Sequence, residues 1–121
     1  MVPEIYSKII PKLNSSTKAG KINWKTTSVP DKFMVSFKDF SLAIWSGYDQ
    51  QEGGEFTAFE LIDPDGKEVD RFYVKDSDKQ WGEVAAELYG GARRKALRID
   101  EALKVISKEL GVDEPDDDLP F

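Results

Sequence analysis

The chain has 121 residues, of which 40% are hydrophobic and 33% are charged, and its formal net charge is −6. This length and composition are typical of one ordinary soluble domain. Because the sequence contains neither Cys nor His, disulfides, thiol nucleophiles, zinc sites of the usual ligand types and histidine bases are excluded.

The chain begins with apolar residues at helical spacing, from Val2 to Leu13, which predict a short N-terminal helix. Pro11 has no backbone N–H, so it is expected to end or kink this helix near Ile10. Residues 14–21 are mostly polar and are expected to form a solvated loop.

The middle of the chain is rich in aromatic and β-branched residues, which predict strands over residues 22–27, 33–37, 40–48, 56–62 and 68–74. In the third of these segments Leu42 and Ile44 alternate with other residues, which leaves Trp45 on the opposite face. Residues 63–66, Asp-Pro-Asp-Gly, have the pattern of a tight turn, so the last two strands are expected to form a hairpin.

The last third is predicted to form two helices. The first has one apolar face made of Trp81, Val84, Ala85, Leu88, Ala92 and Ala96. Gly90 and Gly91 weaken a helix by about 1 kcal/mol each relative to Ala, which indicates close packing at that point. Asp100 is expected to cap the second helix and Gly111 to end it, with an apolar face made of Ile99, Ala102, Leu103, Ile106 and Leu110.

The predicted fold class is therefore α+β: an antiparallel β-meander of four to five strands packed by C-terminal helices, with a short N-terminal helix. We expect the helices to place five residues against the sheet, namely Trp81, Leu88, Ile99, Leu103 and Ile106. The expected organisation is a single domain over residues 1–112 and an acidic tail over residues 113–121.

The charge is unevenly distributed along the chain. Five of the 23 acidic residues lie in residues 113–121, which contain no Lys or Arg. The preceding 112 residues therefore hold 18 acidic and 17 basic residues, so the acidity belongs to the tail.

The last six residues are Asp116, Asp117, Asp118, Leu119, Pro120 and Phe121. They closely resemble the acidic tip of bacterial single-stranded DNA-binding proteins, a run of Asp followed by Ile-Pro-Phe, with Leu119 in place of the usual Ile. In that family the tip recruits replication and repair proteins, so the resemblance implies partner proteins that bind such tips. The chemistry fits this role, because a phenyl ring beside a carboxylate suits an apolar pocket next to a cation. The rest of the chain does not resemble the OB barrel and long linker of that family.

A single-stranded nucleic-acid-binding domain is the first alternative. Aromatic and basic residues that could stack on bases and contact phosphates are Lys18, Lys21, Trp24, Lys25, Trp45 and Tyr48. The element order is similar to that of Whirly-type single-stranded DNA-binding proteins, an analogy of fold alone. In this alternative the acidic tail competes with nucleic acid for the binding face. The near-neutral charge outside the tail disfavours phosphate binding.

A basic cluster at Arg93, Arg94, Lys95 and Arg98 could bind phosphate or the acidic tail, or could be a solvated helix end whose cations favour the helix dipole. No segment pairs a nucleophile with a base, so we expect a binding protein and not an enzyme, with no cofactor or metal.

The sequence thus favours a protein-interaction module of bacterial or phage DNA metabolism that acts through its acidic tip. A second alternative is an inhibitor or immunity-type domain whose tail only increases solubility. No apolar run approaches the ~20 residues of a membrane span, and the first residues lack signal-peptide features. A cytoplasmic location with no membrane partner is therefore expected.

Overall fold

A computed structural model describes residues 2–112 of the chain. A 3₁₀ turn at Glu4–Tyr6 precedes helix α1. The longer elements are α1 (Ile9–Lys18), β1 (Lys25–Thr26), β2 (Phe33–Phe37), β3 (Phe40–Tyr48), β4 (Glu55–Ile62), β5 (Glu68–Lys75), α2 (Gly82–Ala96) and α3 (Ile99–Glu109).

The five strands form one antiparallel sheet in chain order, which confirms the predicted meander and the α+β class. Phe33 lies opposite Ile44, Ile44 opposite Phe59, and Phe59 opposite Phe72. These four side chains form a row across one face of the sheet, and each is 7% exposed or less. That face is therefore the sheet's contribution to the core.

Helix α2 packs on this face, and α1 packs on α2. Ala85, Leu88 and Ala92 of α2 are almost completely buried in the same hydrophobic cluster as the row of sheet residues. The described helices therefore cover one face of the sheet. We call the opposite face, which no described helix contacts, the open face.

The N-terminal helix differs from the sequence expectation. It runs on to Lys18, through residues that were expected to form a loop, and Pro11 is its third residue. Pro11 does not end the helix, because a first-turn N–H has no partner within the helix and its loss costs little. The extra helix is tied to α2, since the Asn14 amide donates a 3.0 Å hydrogen bond to the Glu87 carboxylate. Lys18 pairs with the same carboxylate, and these contacts, with Lys18 the larger cause, lower the pKa of Glu87.

The N-terminal segment is also attached to the sheet edge. The Tyr6 hydroxyl donates a 2.7 Å hydrogen bond to Asp70 of β5, and its ring contacts Phe72 at a centroid distance of 4.5 Å. Burial, followed by the Asp70 hydrogen bond, raises the pKa of Tyr6 to about 12.

Helix α3 does not pack as predicted. It contacts α2 but none of the strands, and none of its residues is fully buried. Ile99 and Leu103 are half-buried and Ile106 is 52% exposed, so the expectation that these three pack against the sheet is wrong. Leu88 lies in the core as expected, and Trp81 packs against it partly buried. The cap differs too: Arg98 is the N-cap residue in a left-handed conformation, and Asp100 lies in the first turn, paired with Arg94.

Candidate functional site

The residues expected to bind nucleic acid do not share one surface. Trp24 is 2% exposed and lies in the core, where its indole N–H donates a 3.0 Å hydrogen bond to Thr17. Trp24 is therefore a packing residue that bases cannot reach, which corrects its assignment to a stacking site. Lys18 lies on α1, beside Glu87 on the helix side of the sheet.

The other expected residues lie at the edges or on the open face. Lys21 is exposed in the loop after α1, and Lys25 is exposed on the edge strand β1. Tyr48 is 62% exposed at the end of β3. Trp45 lies on the open face, as the strand alternation predicts, because its neighbour Ile44 points into the core.

Trp45 lies among charged groups on the open face. The Nζ atom of Lys32 is 4.8 Å from the centroid of the indole, and the Cζ atom of Arg71 is 5.2 Å from it. Both distances are within the range of cation–π attraction. Two cations therefore lie close to the ring, one from the segment before β2 and one from β5.

A buried carboxylate joins these two cations. Glu60 on β4 is only 7% exposed, and its Oε2 atom lies 3.0 Å from Lys32 Nζ and 3.6 Å from Arg71. Burying a carboxylate without such partners would be costly. Ala43 and Ala58, neighbours of Glu60 and Trp45 across the strands, are 0% exposed despite lying on the open face. Two small residues therefore leave room for the larger side chains beside them.

A second aromatic group lies next to Trp45 on the same face. The Phe56 ring lies across Gly47, where an added Cβ would approach the ring to 2.5 Å. The ring of Tyr73 meets Phe56 edge to face at a centroid distance of 5.3 Å. A groove of about 690 Å³ beside these rings is also lined by Tyr48 and Lys75.

The arrangement can stack planar groups more readily than it can bind phosphates. The three cations beside these rings already have carboxylate partners: Lys32 pairs with Glu60, Arg71 with Glu60 and Glu68, and Lys75 with Asp49 and Glu52. A phosphate would have to displace these carboxylates or be repelled by them. No group of three acidic residues in the described range is placed to hold a metal ion.

The four residues of the basic cluster, Arg93, Arg94, Lys95 and Arg98, have different surroundings in the structure. Arg94 pairs with Asp100, and Arg98 lies 2.6 Å from Glu101, so two of its four cations are engaged within the α2–α3 junction. Lys95 and Arg98 line a cleft of about 420 Å³ together with Lys25 of β1. The acidic tip, residues 116–121, lies outside the described residues.

Five residues that lie around Trp45 on the open face were not predicted from the sequence: Lys32, Phe56, Glu60, Arg71 and Tyr73. The signal for them is the strand register, in which Ala58 lies opposite both Trp45 and Tyr73, and Glu60 lies opposite both Ala43 and Arg71. Strand alternation gives the face of each residue, but only the pairing register shows which residues become neighbours.

No helix within residues 2–112 is long and apolar enough to cross a membrane. No protein-family model matches the chain, and no curated protein or solved structure is significantly similar to it.

Proposed function

We propose that this chain is a protein-interaction module of bacterial or phage DNA metabolism that binds its partners through residues 116–121. Its partners are cytoplasmic proteins that recognise the acidic tip of single-stranded DNA-binding proteins. The observation that carries the proposal is the sequence Asp-Asp-Asp-Leu-Pro-Phe, because solubility alone requires acidic residues but no aromatic ring after them. The role proposed is binding and not catalysis.

The energetics of such a segment suit a reversible contact. Burying the Phe121 ring contributes roughly 1.5–3 kcal/mol, and Pro120 limits the backbone entropy lost on docking. The three aspartates attract basic surfaces in a manner that salt weakens.

A pull-down from bacterial lysate tests the proposal. We expect the 121-residue chain to capture proteins that a synthetic peptide of a single-stranded DNA-binding-protein tip then elutes. A chain ending at Val112, and one lacking only Phe121, should capture none of them while melting at the same temperature as the parent. Equal capture by the chain that ends at Val112 would contradict the proposal.

The open face favours a second candidate function, the binding of single-stranded nucleic acid. Trp45, Phe56 and Tyr73 are neighbouring rings on this face, on which bases could stack at about 1–3 kcal/mol per base. The paired cations and the buried Glu60 argue against tight phosphate contacts. We therefore rank this function below recruitment through the tip.

Titration with oligo-dT separates the two candidates, with tryptophan fluorescence as the readout. We expect no micromolar binding at near-physiological salt, since phosphate contacts are salt-sensitive and Lys32, Arg71 and Lys75 are already paired with carboxylates. Micromolar binding that Trp45→Leu weakens about tenfold, and that Trp81→Phe on the helix side leaves unchanged, would make the open face the functional site. Stronger binding after removal of residues 113–121 would further make the tail its competitor.

A further inference from the structure

A basic cleft lies where β1, the end of α2 and the start of α3 meet. It has a volume of about 420 Å³, and it is lined by three cations: Lys25 of β1, Lys95 of α2 and Arg98 between the two helices. Glu101 is the one acidic residue among the described residues that line it. Three cations and one carboxylate give this cleft, which we call the junction cleft, a net positive charge.

The cations of the junction cleft are not neutralised by the rest of the described chain. Neither Lys25 nor Lys95 forms an ion pair with any of residues 2–112. Arg98 pairs with Glu101 through its Nε atom at 2.6 Å, and a guanidinium has further N–H groups for a second acceptor. In this the cleft differs from the open face, where the cations beside the aromatic rings are paired with carboxylates.

Arg98 has a backbone conformation that favours glycine. Its φ is 56°, and it lies just after the end of α2, where many helices have a left-handed glycine. A residue with a Cβ is less stable there than glycine, and such positions occur often at ligand sites. An arginine at this position therefore lowers stability and adds a cation to the cleft.

We infer that the junction cleft binds the acidic tail of the same chain, residues 113–121. The tail carries five acidic side chains and no Lys or Arg. Its charge is therefore opposite to that of the cleft, and attraction between them is strongest at low salt.

The acidic tail is attached close enough to reach the cleft. Helix α3 has 11 residues, so its ends are about 16 Å apart, and the cleft lies at the first of them. At the other end the chain turns at Gly111, whose φ is 73°, and the Val112 N–H donates a 2.9 Å hydrogen bond back to the Ser107 carbonyl. The six residues from 113 to Asp118 can span about 20 Å, and the nine to Phe121 about 30 Å, both more than the length of α3.

The contact is expected to be weak and reversible. Exposed ion pairs each contribute little, but the short tether holds the tail at a millimolar effective concentration. Docking withholds the aspartates of the tip from partner proteins, so the apparent affinity for partners falls in proportion to the fraction of chains whose tail is free. This consequence rests on the proposed function, whereas the docking itself does not.

Paramagnetic broadening in NMR spectra of the full chain tests the docking. The chain has no Cys, so Leu119→Cys provides a single attachment point for a nitroxide and keeps every charge of the tail. At about 20 mM salt the nitroxide should broaden the amide signals of Lys25, Lys95 and Arg98, and at about 0.3 M salt this broadening should largely disappear. The amide of Trp45 on the open face should stay sharp at both salt concentrations.

Two charge-reversed variants locate the contact. Lys25→Glu combined with Lys95→Glu should abolish the broadening at low salt. The matched control, Lys67→Glu combined with Lys79→Glu, should leave it unchanged. It alters the net charge equally, on exposed lysines before and after β5, at the opposite edge of the sheet from β1. Broadening that survives the first pair of substitutions would overturn the inference. So would equal broadening of nitroxide-free chains mixed with labelled ones, because the contact would then lie between copies.

Displacement of a single-stranded DNA-binding-protein tip peptide from a protein that binds it separates the docking from the proposed function. At low salt the chain with Lys25→Glu and Lys95→Glu should displace the peptide at a several-fold lower concentration than the control variant, because more of its tips are free. Equal displacement by the two variants would overturn the competition. Displacement by neither variant, with the broadening of the parent chain intact, would contradict the proposed function and support the docking alone.

Discussion

Leu88→Ala should lower the free energy of unfolding by about 2–5 kcal/mol, the range for removing a large buried side chain from a core. Leu88 is 0% exposed and lies in the middle of α2, in the same hydrophobic cluster as Ile44 and Phe59 of the sheet. Because α2 is the helix that packs on the strands, a cavity at this position weakens the contact between the two layers.

The matched variant is Leu103→Ala, which removes the same atoms from α3. Leu103 is half-buried and contacts no strand, so this change should cost roughly 1 kcal/mol or less. Urea unfolding of both variants under the same conditions measures the difference. Equal losses for the two variants would mean that α3 belongs to the core, contrary to the structure.

Gly82→Ala should also destabilise the fold strongly. A Cβ atom at this first residue of α2 would lie 2.7 Å from the carbonyl carbon of Asp76 and 2.8 Å from the carbonyl oxygen of Lys75. Both atoms belong to the backbone, so the end of β5 and the start of α2 must move apart. We expect a loss of about 1–3 kcal/mol, as for other overpacked positions.

Gly90→Ala is the control for the same substitution in the same helix. A Cβ at Gly90 would meet no other side chain or distant backbone within 4 Å. This change should therefore stabilise the chain by about 0.5–1 kcal/mol, because alanine loses less conformational freedom in a helix than glycine. Gly91 lies between the two cases, since its Cβ would approach the Thr17 methyl group to 3.0 Å. Thermal unfolding of Gly82→Ala and Gly90→Ala should move in opposite directions, and a stabilising Gly82→Ala would contradict the close approach.

The strands could be predicted where residue alternation and turn signals agree. The bounds of β2 and β3 match the expectation, and the hairpin of β4 and β5 forms at the predicted turn. There the Asp63 carboxylate accepts 2.9 Å hydrogen bonds from the backbone N–H groups of Asp65 and Lys67. The first strand is shorter than the predicted span of residues 22–27, because only Lys25 and Thr26 pair with β2.

The packing of the helices was harder to predict than the strands, because an apolar helix face does not show which element covers it. Helices α2 and α3 both have an apolar face, yet α2 is buried against the sheet and α3 is not. The continuation of α1 through polar residues depends on contacts with Glu87 of α2, 73 residues away from Asn14 in the chain. Helix propensity is a property of the local sequence, so it carries no information about such tertiary contacts.

The same limit applies to the candidate site. Trp24 lies between Asn23 and Lys25, and Trp45 lies between Ile44 and Ser46; Trp24 is in the core and Trp45 is on the open face. The alternation around Trp45 was sufficient to place it. Its neighbours Lys32 and Arg71 come from segments 13 and 26 residues away, and the sheet register is what brings them to the ring.

Competition for a tip-binding site shows whether residues 116–121 bind partners as proposed. A labelled tip peptide of a single-stranded DNA-binding protein is bound to a purified bacterial protein with an established site for it, and anisotropy is followed as this chain is added. We expect the 121-residue chain to displace the peptide. The same chain without Phe121 should do so at least about tenfold less well, because losing the burial of a phenyl ring costs about 1.4 kcal/mol or more. Displacement should also weaken as salt is raised. Absence of displacement by the full chain, or equal displacement by the chain without Phe121, would contradict the proposed function.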